Sequence, residues 1–292
     1  MSGGALTSIA WIGDPESPGK GQWGDPGGLS VPLDDRGLLL ADGLFETLLL
    51  EGGQIQLLEE HLERWRQGAA LLDLPTPPPA APLRELVATA VARSGIRTGA
   101  LRLNGSRGSG SGRGLDLPPR ADTRPRFWLQ LSATRPAFTP LAAIISQRER
   151  RNPASLLSRC KTFAYGAQVQ ARREAREAGA DEALMLASSG ELSCGTAANL
   201  LLRRGGSWLT PPLSSGCLPG VMRGRALALG WVQEAPLPPS ALAEAEAVLL
   251  INSLGCRPLG RCNDLQLPPL AAEAAEELFR SLLTGERPQL QP

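Results

Sequence analysis

The sequence predicts an α/β protein of two domains, an N-terminal mixed sheet with helices and a larger C-terminal α/β domain. Short apolar runs typical of strands alternate with segments of helical periodicity along the whole chain. A chain of 292 residues is long enough to form two cores. A proline-containing polar stretch near its middle indicates a boundary. We therefore expect an N-terminal domain at 1–134, a linker at 135–140 and a C-terminal domain at 141–292.

Turn residues separate the elements of the N-terminal domain. Gly52 and Gly53 lie between two apolar runs, a spacing typical of a hairpin. Gly95 ends a helical pattern. The predicted elements are strands at 9–12, 45–50 and 54–58, helices at 58–73 and 83–94, and strands at 101–103 and 127–131. We expect the sheet to be mostly antiparallel.

The C-terminal domain is divided in the same way. Gly179 follows a helical segment, and Ser-Ser-Gly and Arg-Gly-Gly sequences separate short apolar runs. The predicted elements are a strand at 142–146, a helix at 167–178, strands at 182–186, 199–202 and 208–210, a helix at 222–229, a strand at 247–251 and a helix at 269–283.

Composition excludes several classes of protein. A formal net charge of +1 does not suit a dedicated nucleic-acid or membrane-surface protein, because both partners require a basic excess. No apolar run is long enough to span a bilayer. Five cysteines without a CxxC pair, and the lack of a secretory signal pattern, predict a cytoplasmic protein with reduced thiols.

The rarest residue types are the most informative. Lys20 and Lys161 are the only lysines among 30 basic residues. A lysine kept in such an arginine-rich chain indicates a primary amine that attacks a carbonyl, although a structural lysine is the alternative. Lys20 lies in a Gly/Pro-rich segment, whereas Lys161 lies four residues before the single tyrosine, Tyr165. The single histidine, His61, excludes sites that need several imidazoles and is interpreted as a helix-packing residue.

Several segments of the chain occur in the order found in one enzyme family. They are Asp35-Arg-Gly37, Ala41-Asp-Gly-Leu-Phe-Glu-Thr47, Glu60-His-Leu-Glu-Arg64, Lys161-Thr-Phe-Ala-Tyr165, Gly179-Ala-Asp-Glu-Ala-Leu184, Thr196-Ala-Ala-Asn199, Thr210-Pro-Pro212 and Leu218-Pro-Gly-Val-Met-Arg223. The ordered set resembles fold-type IV pyridoxal 5′-phosphate (PLP) enzymes, which include branched-chain and D-amino-acid aminotransferases and 4-amino-4-deoxychorismate lyase. The resemblance extends from Asp35 to Pro258. It implies a barrel-like C-terminal domain, PLP in a cleft between the domains, and a homodimer in which a loop of one subunit completes the other's site.

The resemblance also implies roles for individual residues. Lys161 would bind the cofactor aldehyde covalently and then act as the base at the substrate carbon. Tyr165 would donate to the ring oxygen of PLP, unless it is simply a half-buried aromatic residue at a helix start. Arg64 would contact the phosphate through its forked guanidinium, with an exposed helical pair to Glu60 as the alternative.

Four further residues complete the implied cofactor ligands. Val221 and Met222 begin a predicted helix, where backbone N–H groups and the helix dipole favour an anion; an ordinary turn is the alternative. Ser253 follows a predicted strand and resembles a second phosphate contact. Cys194 occupies the position where the family usually has a glutamate that keeps the pyridine nitrogen protonated. A neutral thiol would stabilise that protonated nitrogen much less.

The segment at 102–115 indicates which reaction of the family applies. Its Ser-Arg-Gly-Ser-Gly-Ser-Gly-Arg-Gly sequence resembles a segment of 4-amino-4-deoxychorismate lyases with one extra residue, which leaves the register of Arg113 open. Arg107 and Thr47 are the predicted substrate contacts, Arg107 for a carboxylate. We expect a lyase that releases pyruvate and 4-aminobenzoate, a step toward folate. The alternatives are an aminotransferase for branched-chain or D-amino acids, a nucleic-acid-binding protein and a relative that has lost catalysis.

Overall fold

The computed structural model of the chain describes residues 7–110 and 114–286. These residues form two compact units. The N-terminal unit contains the described residues up to Arg135 together with Cys160–Ala164, and the C-terminal unit contains Pro136–Arg159 and the described residues from Tyr165 onward. None of the helices in these ranges is both long and apolar enough to cross a membrane.

The N-terminal unit is a six-stranded sheet with helices. Its elements are β1 (Ser8–Gly13), β2 (Gln22–Gly24), α1 (Arg36–Leu40), β3 (Gly43–Glu51), β4 (Gln54–Ile55), α2 (Leu58–Leu72), α3 (Ala80–Ser94), β5 (Gly99–Ser109) and β6 (Arg124–Ala133). The strand order is β2-β1-β6-β5-β3-β4, and every pairing is antiparallel. The predicted hairpin and both long helices are therefore present.

Side-chain alternation gives this sheet two different faces. Leu44, Leu48 and Leu50 of β3 alternate along the strand and belong to the core that includes Leu62 and Trp65 of α2. The same core contains alternate residues of β5 and β6. One face of the sheet is thus covered by α2 and α3, and Thr47 on the opposite face is partly exposed.

The C-terminal unit is built around a closed ring of strands. Its elements are β7 (Leu141–Arg151), α4 (Gly166–Glu177), β8 (Glu182–Ala187), β9 (Leu192–Gly195), β10 (Asn199–Arg204), β11 (Ser207–Thr210), α5 (Val221–Ala228), β12 (Val232–Glu234), β13 (Ala247–Asn252), β14 (Gly255–Cys262), β15 (Leu265–Gln266) and α6 (Ala272–Thr284). The path β10-β13-β14-β7-β8-β9 returns to β10 through the pairing of Asn199 with Cys194. This closure confirms the expected barrel-like domain.

One short segment belongs to a different domain from the one that the sequence predicts. The sequence predicts 160–164 in the C-terminal domain, but Cys160–Ala164 belongs to the N-terminal unit. The backbone N–H of Phe45 donates to Lys161 O at 2.9 Å, and that of Phe163 donates to Gly43 O at 3.1 Å. These hydrogen bonds add the segment to the edge of β3 beyond the short β4, a long-range pairing that local sequence patterns do not reveal.

Candidate active site

Lys161 lies against the first half of β3. Its backbone oxygen accepts from Phe45, and its Nζ is 4.5 Å from the centroid of the Phe45 ring. The side chain is partly buried, whereas Lys20 is exposed at the end of a short 3₁₀ helix. The two lysines therefore differ in the way that the sequence predicts, and only Lys161 sits in a structured, partly apolar setting.

Arg102 lies over the same aromatic ring as Lys161. Its Cζ is 3.7 Å from the centroid of Phe45, and its Nε donates to Asn104 Oδ1 at 2.8 Å. Thr47 pairs with Arg102 across β3 and β5, so both belong to the sheet face that α2 and α3 do not cover. Sequence reasoning did not assign Arg102 a role, although its alternation with the buried Leu101 and Leu103 places it on this face.

Aromatic side chains extend this face around Lys161. The ring of Phe163 stacks on Phe45 with 6.4 Å between centroids, and Trp128 lies 5.7 Å from Phe163. A Cβ at Gly43 would be 2.3 Å from the Phe163 ring, so glycine is required there for the ring to pack on the backbone. The result is an aromatic wall, formed by Phe45, Phe163 and Trp128, beside an amine and a guanidinium.

Arg107 is held within the N-terminal unit by several hydrogen bonds. It is 6% exposed, and all three of its nitrogens donate within the unit. Nε bonds Asp42 at 2.7 Å, Nη1 bonds Asp73 O at 2.6 Å, and Nη2 bonds both Asp42 and Leu72 O. The guanidinium thus joins the end of α2 to the start of β3. Arg107 therefore has a structural role in this unit, and its role as a substrate contact stays a prediction.

Arg64 takes part in a buried ionic cluster with Glu46 and His61. Arg64 Nε donates to Glu46 Oε1 at 2.8 Å, its Nη2 donates to Glu46 Oε2, and His61 Nδ1 lies 2.6 Å from that same oxygen. Burial acts to raise the pKa of Glu46, but Arg64 and His61 together lower it to about 2. Burial lowers the pKa of His61, against the opposing effect of Glu46.

The cluster adds contacts to two residues that the sequence singles out. Arg64 is 10% exposed and bonds Glu46, and its role as a phosphate contact stays a prediction. His61 is buried on α2 as expected of a packing residue, but it also contacts the carboxylate. Sequence reasoning missed Glu46, which is adjacent to Thr47 in the matched segment and points to the opposite, α2-covered side of β3.

The start of α5 presents uncapped backbone N–H groups in the C-terminal unit. Gly220 is the N-cap residue, and no side chain caps the backbone N–H groups of the first turn. Val221 and Met222 are both buried. The Nε of the buried Arg223 in the same turn has no hydrogen-bond partner among the residues that the structure describes. Another nitrogen of this guanidinium, Nη2, donates to Pro211 O at 2.8 Å and to Glu234, so the backbone N–H groups of the helix start, and not Arg223, are the groups that fit a phosphate.

The other predicted C-terminal ligands are held near this helix by three contacts. Asn199 Nδ2 donates to Leu218 O at 2.9 Å, and Asn199 pairs with Cys194 in the sheet. Asn252 Nδ2 donates to Ala197 O at 3.1 Å, which connects the turn containing Ser253 to the turn after β9. Cys194, Ser253 and the start of α5 therefore come together at one end of the barrel.

Cys194 is a neutral thiol in a buried position. Burial raises the pKa of the Cys194 thiol to about 11, which outweighs the opposing effect of Arg151. Ser193 Oγ donates to its sulfur at 3.7 Å. The buried carboxylate of Glu182, which acts on the Cys194 thiol, already accepts hydrogen bonds from Thr196 at 2.5 Å and from Arg172. Cys194 therefore offers a hydrogen bond and no negative charge at neutral pH.

Two remaining predictions concern Tyr165 and Arg113. Tyr165 is the N-cap residue of α4 and is partly buried, at the point where the chain leaves the Lys161 segment. Its backbone oxygen accepts from Val169 at 3.0 Å. Arg113 lies outside the described residues.

Comparisons with known proteins identify the family. The family model for amino-transferase class IV matches residues 43–262. A solved fold IV transaminase from Curtobacterium pusillum has 27% identity and a TM-score of 0.79, covering 96% of this chain and 98% of that one. A solved 4-amino-4-deoxychorismate lyase from Pseudomonas aeruginosa has 30% identity and a TM-score of 0.73, covering 93% and 98%. A bifunctional aminodeoxychorismate lyase and D-amino acid transaminase from Mycobacterium tuberculosis is 29% identical, covering 64% of this chain and 68% of its own length.

Proposed function

We propose that this chain, which belongs to the PLP-dependent class IV aminotransferase family, is an aminodeoxychorismate lyase. It would convert 4-amino-4-deoxychorismate to 4-aminobenzoate and pyruvate, a step toward folate. One observation carries the proposal: Lys161 Nζ and the Arg102 guanidinium both lie against the Phe45 ring. A nucleophilic amine and a carboxylate-binding cation beside an aromatic wall suit a flat, ring-shaped substrate that carries an amine and carboxylates.

The described residues fit the chemical groups of the cofactor. Val221 and Met222 would donate backbone N–H groups to the phosphate, with Ser253 and Arg64 as further proposed contacts. Tyr165 would donate to the ring oxygen, and Cys194 would face the ring nitrogen. When bound, PLP supplies a ring that withdraws electrons from the substrate carbon.

Lys161 performs the proton transfer in this proposal. Its Nζ removes the proton from the substrate ring carbon that carries the amine. The ring carbon–oxygen bond to the enolpyruvyl group then breaks with its electron pair going to oxygen, and the ring becomes aromatic. The released enolate takes up at its terminal carbon a proton equivalent to the one that Lys161 removed, which gives pyruvate and restores the free amine. Arg102 would bind a substrate carboxylate, and Thr47 lies beside it on the sheet face. Trp128 and Phe163 would cover the flat ring and exclude water.

The neutral Cys194 favours the lyase over an aminotransferase. Cys194 stands in place of the family's glutamate, and because its pKa is raised to about 11 the thiol carries no negative charge at neutral pH. No charged group at this position therefore keeps the ring nitrogen protonated. Aromatisation drives the lyase reaction, so a weaker electron sink suffices. An aminotransferase must instead hold negative charge at the substrate carbon long enough to protonate the cofactor.

We further propose that the enzyme is a cytoplasmic homodimer. Leu38 and Leu39 of α1 are 59% and 63% exposed, and Leu115 is 81% exposed. Arg36 Nη1 donates to Gly114 O at 3.4 Å, which brings these leucines into neighbouring segments. Grouped exposed leucines favour burial against another subunit.

The names of two relatives favour a second candidate function. The Curtobacterium protein is a transaminase, and the Mycobacterium protein combines lyase and D-amino acid transaminase activities. Transamination of D-amino or branched-chain amino acids is therefore the alternative reaction for this chain.

The test is to incubate PLP-loaded protein with 4-amino-4-deoxychorismate in the absence of any keto acid. We expect pyruvate and 4-aminobenzoate in equal amounts, no product from Lys161→Ala, and normal activity from Lys20→Ala, which alters the exposed lysine. Product formation that requires a keto acid would support the aminotransferase. A PLP-loaded protein that is inactive with every amine and keto acid tested would overturn both candidates.

A further inference from the structure

Asn199 lies where the barrel closes and where α5 begins. Its backbone pairs with Ile251 on one side and with Cys194 on the other. Its side chain is buried, with the residue 6% exposed. A residue paired on both sides has little freedom to move, so its side chain is a fixed point for whatever it contacts.

The side chain of Asn199 contacts the segment that leads into α5. Nδ2 donates to Leu218 O at 2.9 Å. A Cβ at Gly220 would lie 1.9 Å from Asn199 Oδ1, so the amide is also packed directly against the N-cap backbone. Gly220 has φ −68° and ψ 141°, a conformation that any residue adopts, and therefore glycine is needed there only because of Asn199.

The direction of the α5 N–H groups depends on how this segment is held. No side chain caps the helix, so its first turn has no local restraint of that kind. The amide of Asn199 fixes the chain at Leu218 and Gly220, immediately before the proposed donors Val221 and Met222. Backbone donors bind an anion well only when they are held in place before it arrives.

We infer that Asn199 is a positioning residue for phosphate recognition, which aligns the first turn of α5 through its contacts with Leu218 and Gly220. The inference rests on the proposed function for the phosphate site, and it does not depend on whether the reaction is elimination or transamination. It predicts that Asn199 affects the recognition of the phosphate group and not that of the rest of the cofactor.

The test compares the binding of PLP and of pyridoxal, which lacks the phosphate, to protein freed of cofactor. We expect Asn199→Ala to weaken PLP binding about tenfold while pyridoxal binding changes less than about twofold, the size of effect that loss of a positioning hydrogen bond gives. Gln147→Ala is the matched control, because the exposed Gln147 also donates its side-chain amide to a backbone oxygen of this unit, Ile145 O at 3.1 Å, but does so within β7. We expect it to change neither affinity. The melting temperature of each cofactor-free variant reports on folding.

A double-mutant cycle makes the test independent of general damage to the fold. We expect Gly220→Ala alone to weaken PLP binding, because its Cβ collides with Asn199 Oδ1. In Asn199→Ala/Gly220→Ala the collision is gone, so the combined loss should be smaller than the product of the single losses. Asn199→Ser serves in place of Asn199→Ala if the latter does not fold.

Three outcomes overturn the inference. These are equal losses for PLP and pyridoxal, unchanged PLP binding, and single losses that simply multiply in the double variant. Wild-type protein that binds no PLP would instead contradict the proposed function itself. Loss of lyase activity with the PLP-specific effect retained would leave the role of Asn199 in place.

Discussion

The buried cluster around Glu46 differs in charge from the residues proposed to face the cofactor in the C-terminal unit. In the N-terminal unit, Glu46 is ionised and lies between His61 and Arg64. In the C-terminal unit, the thiol of Cys194, the amide of Asn199 and the backbone N–H groups of α5 are neutral, while the nearby charged groups are already paired, Glu182 with Arg172 and Arg223 with Glu234. Buried ions must be paired, whereas buried neutral groups need only hydrogen bonds, so the two regions should respond differently to substitution.

The largest effect is expected from removing the carboxylate of the N-terminal cluster. Glu46→Gln leaves Arg64 and His61 buried without their anion, and we expect a loss of about 3–5 kcal/mol in the free energy of unfolding. Urea denaturation measures this loss. The matched control is Glu63→Gln, which removes an exposed carboxylate from the same helix as Arg64, with an expected change below about 1 kcal/mol. Equal losses in the free energy of unfolding for Glu46→Gln and Glu63→Gln would contradict the claim that Glu46 is a buried, paired ion.

The two arginines of β5 should separate stability from substrate binding. Arg107→Gln removes donors from Asp42 and from the end of α2, so we expect it to lower the free energy of unfolding by about 2–4 kcal/mol. Arg102→Gln should change stability by less than about 1 kcal/mol and raise KM about tenfold. Steady-state kinetics and urea denaturation of both variants provide the check. A KM effect confined to Arg107→Gln would reverse our assignment.

A smaller effect is expected when charge is introduced into the C-terminal cluster. Cys194→Glu restores a carboxylate beside the proposed ring-nitrogen site, and we expect the rate of half-transamination to rise about tenfold. Cys194→Ser is the matched control, because it keeps a neutral hydrogen-bonding group. Single-turnover absorbance with an amino acid measures the rate. Unchanged lyase activity without any gain in half-transamination would count against a selective role for the thiol.

The most gradual effect is the pH dependence that His61 contributes to stability. The lowered pKa of His61 means that the unfolded chain binds a proton first, so its contribution is complete above the unfolded pKa near 6.5 and is lost as the pH falls. Glu46, with a pKa lowered to about 2, acts in the same direction below about 4.5. We expect stability to fall by up to about 1.4 kcal/mol per pH unit below pH 6.5. Urea denaturation of wild type and His61→Gln between pH 7 and 5 tests this, and identical slopes would exclude His61 as the cause.

Local patterns were sufficient for much of the fold. The apolar spacing of Leu58, Leu62 and Trp65 predicts α2, and Gly52-Gly53 predicts the hairpin of β3 and β4. By contrast, β14 was not predicted, because glycine and proline interrupt the alternation in Gly255–Cys262. A strand of this kind is stabilised by its neighbours in the barrel, which local sequence does not show.

The sequence singles out candidate site residues where a rare residue type or a motif marks them. The scarcity of lysine singles out Lys161, and the motif singles out the start of α5. The hydrogen bonds that Arg107 makes with Asp42 and Asp73 O were not foreseen, because these partners lie 65 and 34 residues away in the sequence. The ionic partners of Glu46 were also not foreseen, because they lie on α2, 15 and 18 residues further along the chain. Long-range pairing of charged groups therefore limits what sequence alone can assign.

The most direct measurement of the central claim is the number of turnovers that the PLP-loaded enzyme completes on 4-amino-4-deoxychorismate when no keto acid is present. A lyase regenerates its cofactor in every cycle, so we predict many turnovers, with 4-aminobenzoate and pyruvate formed in equal amounts throughout. An enzyme that stops after one turnover, and resumes only when a keto acid is added, would contradict the lyase and establish an aminotransferase.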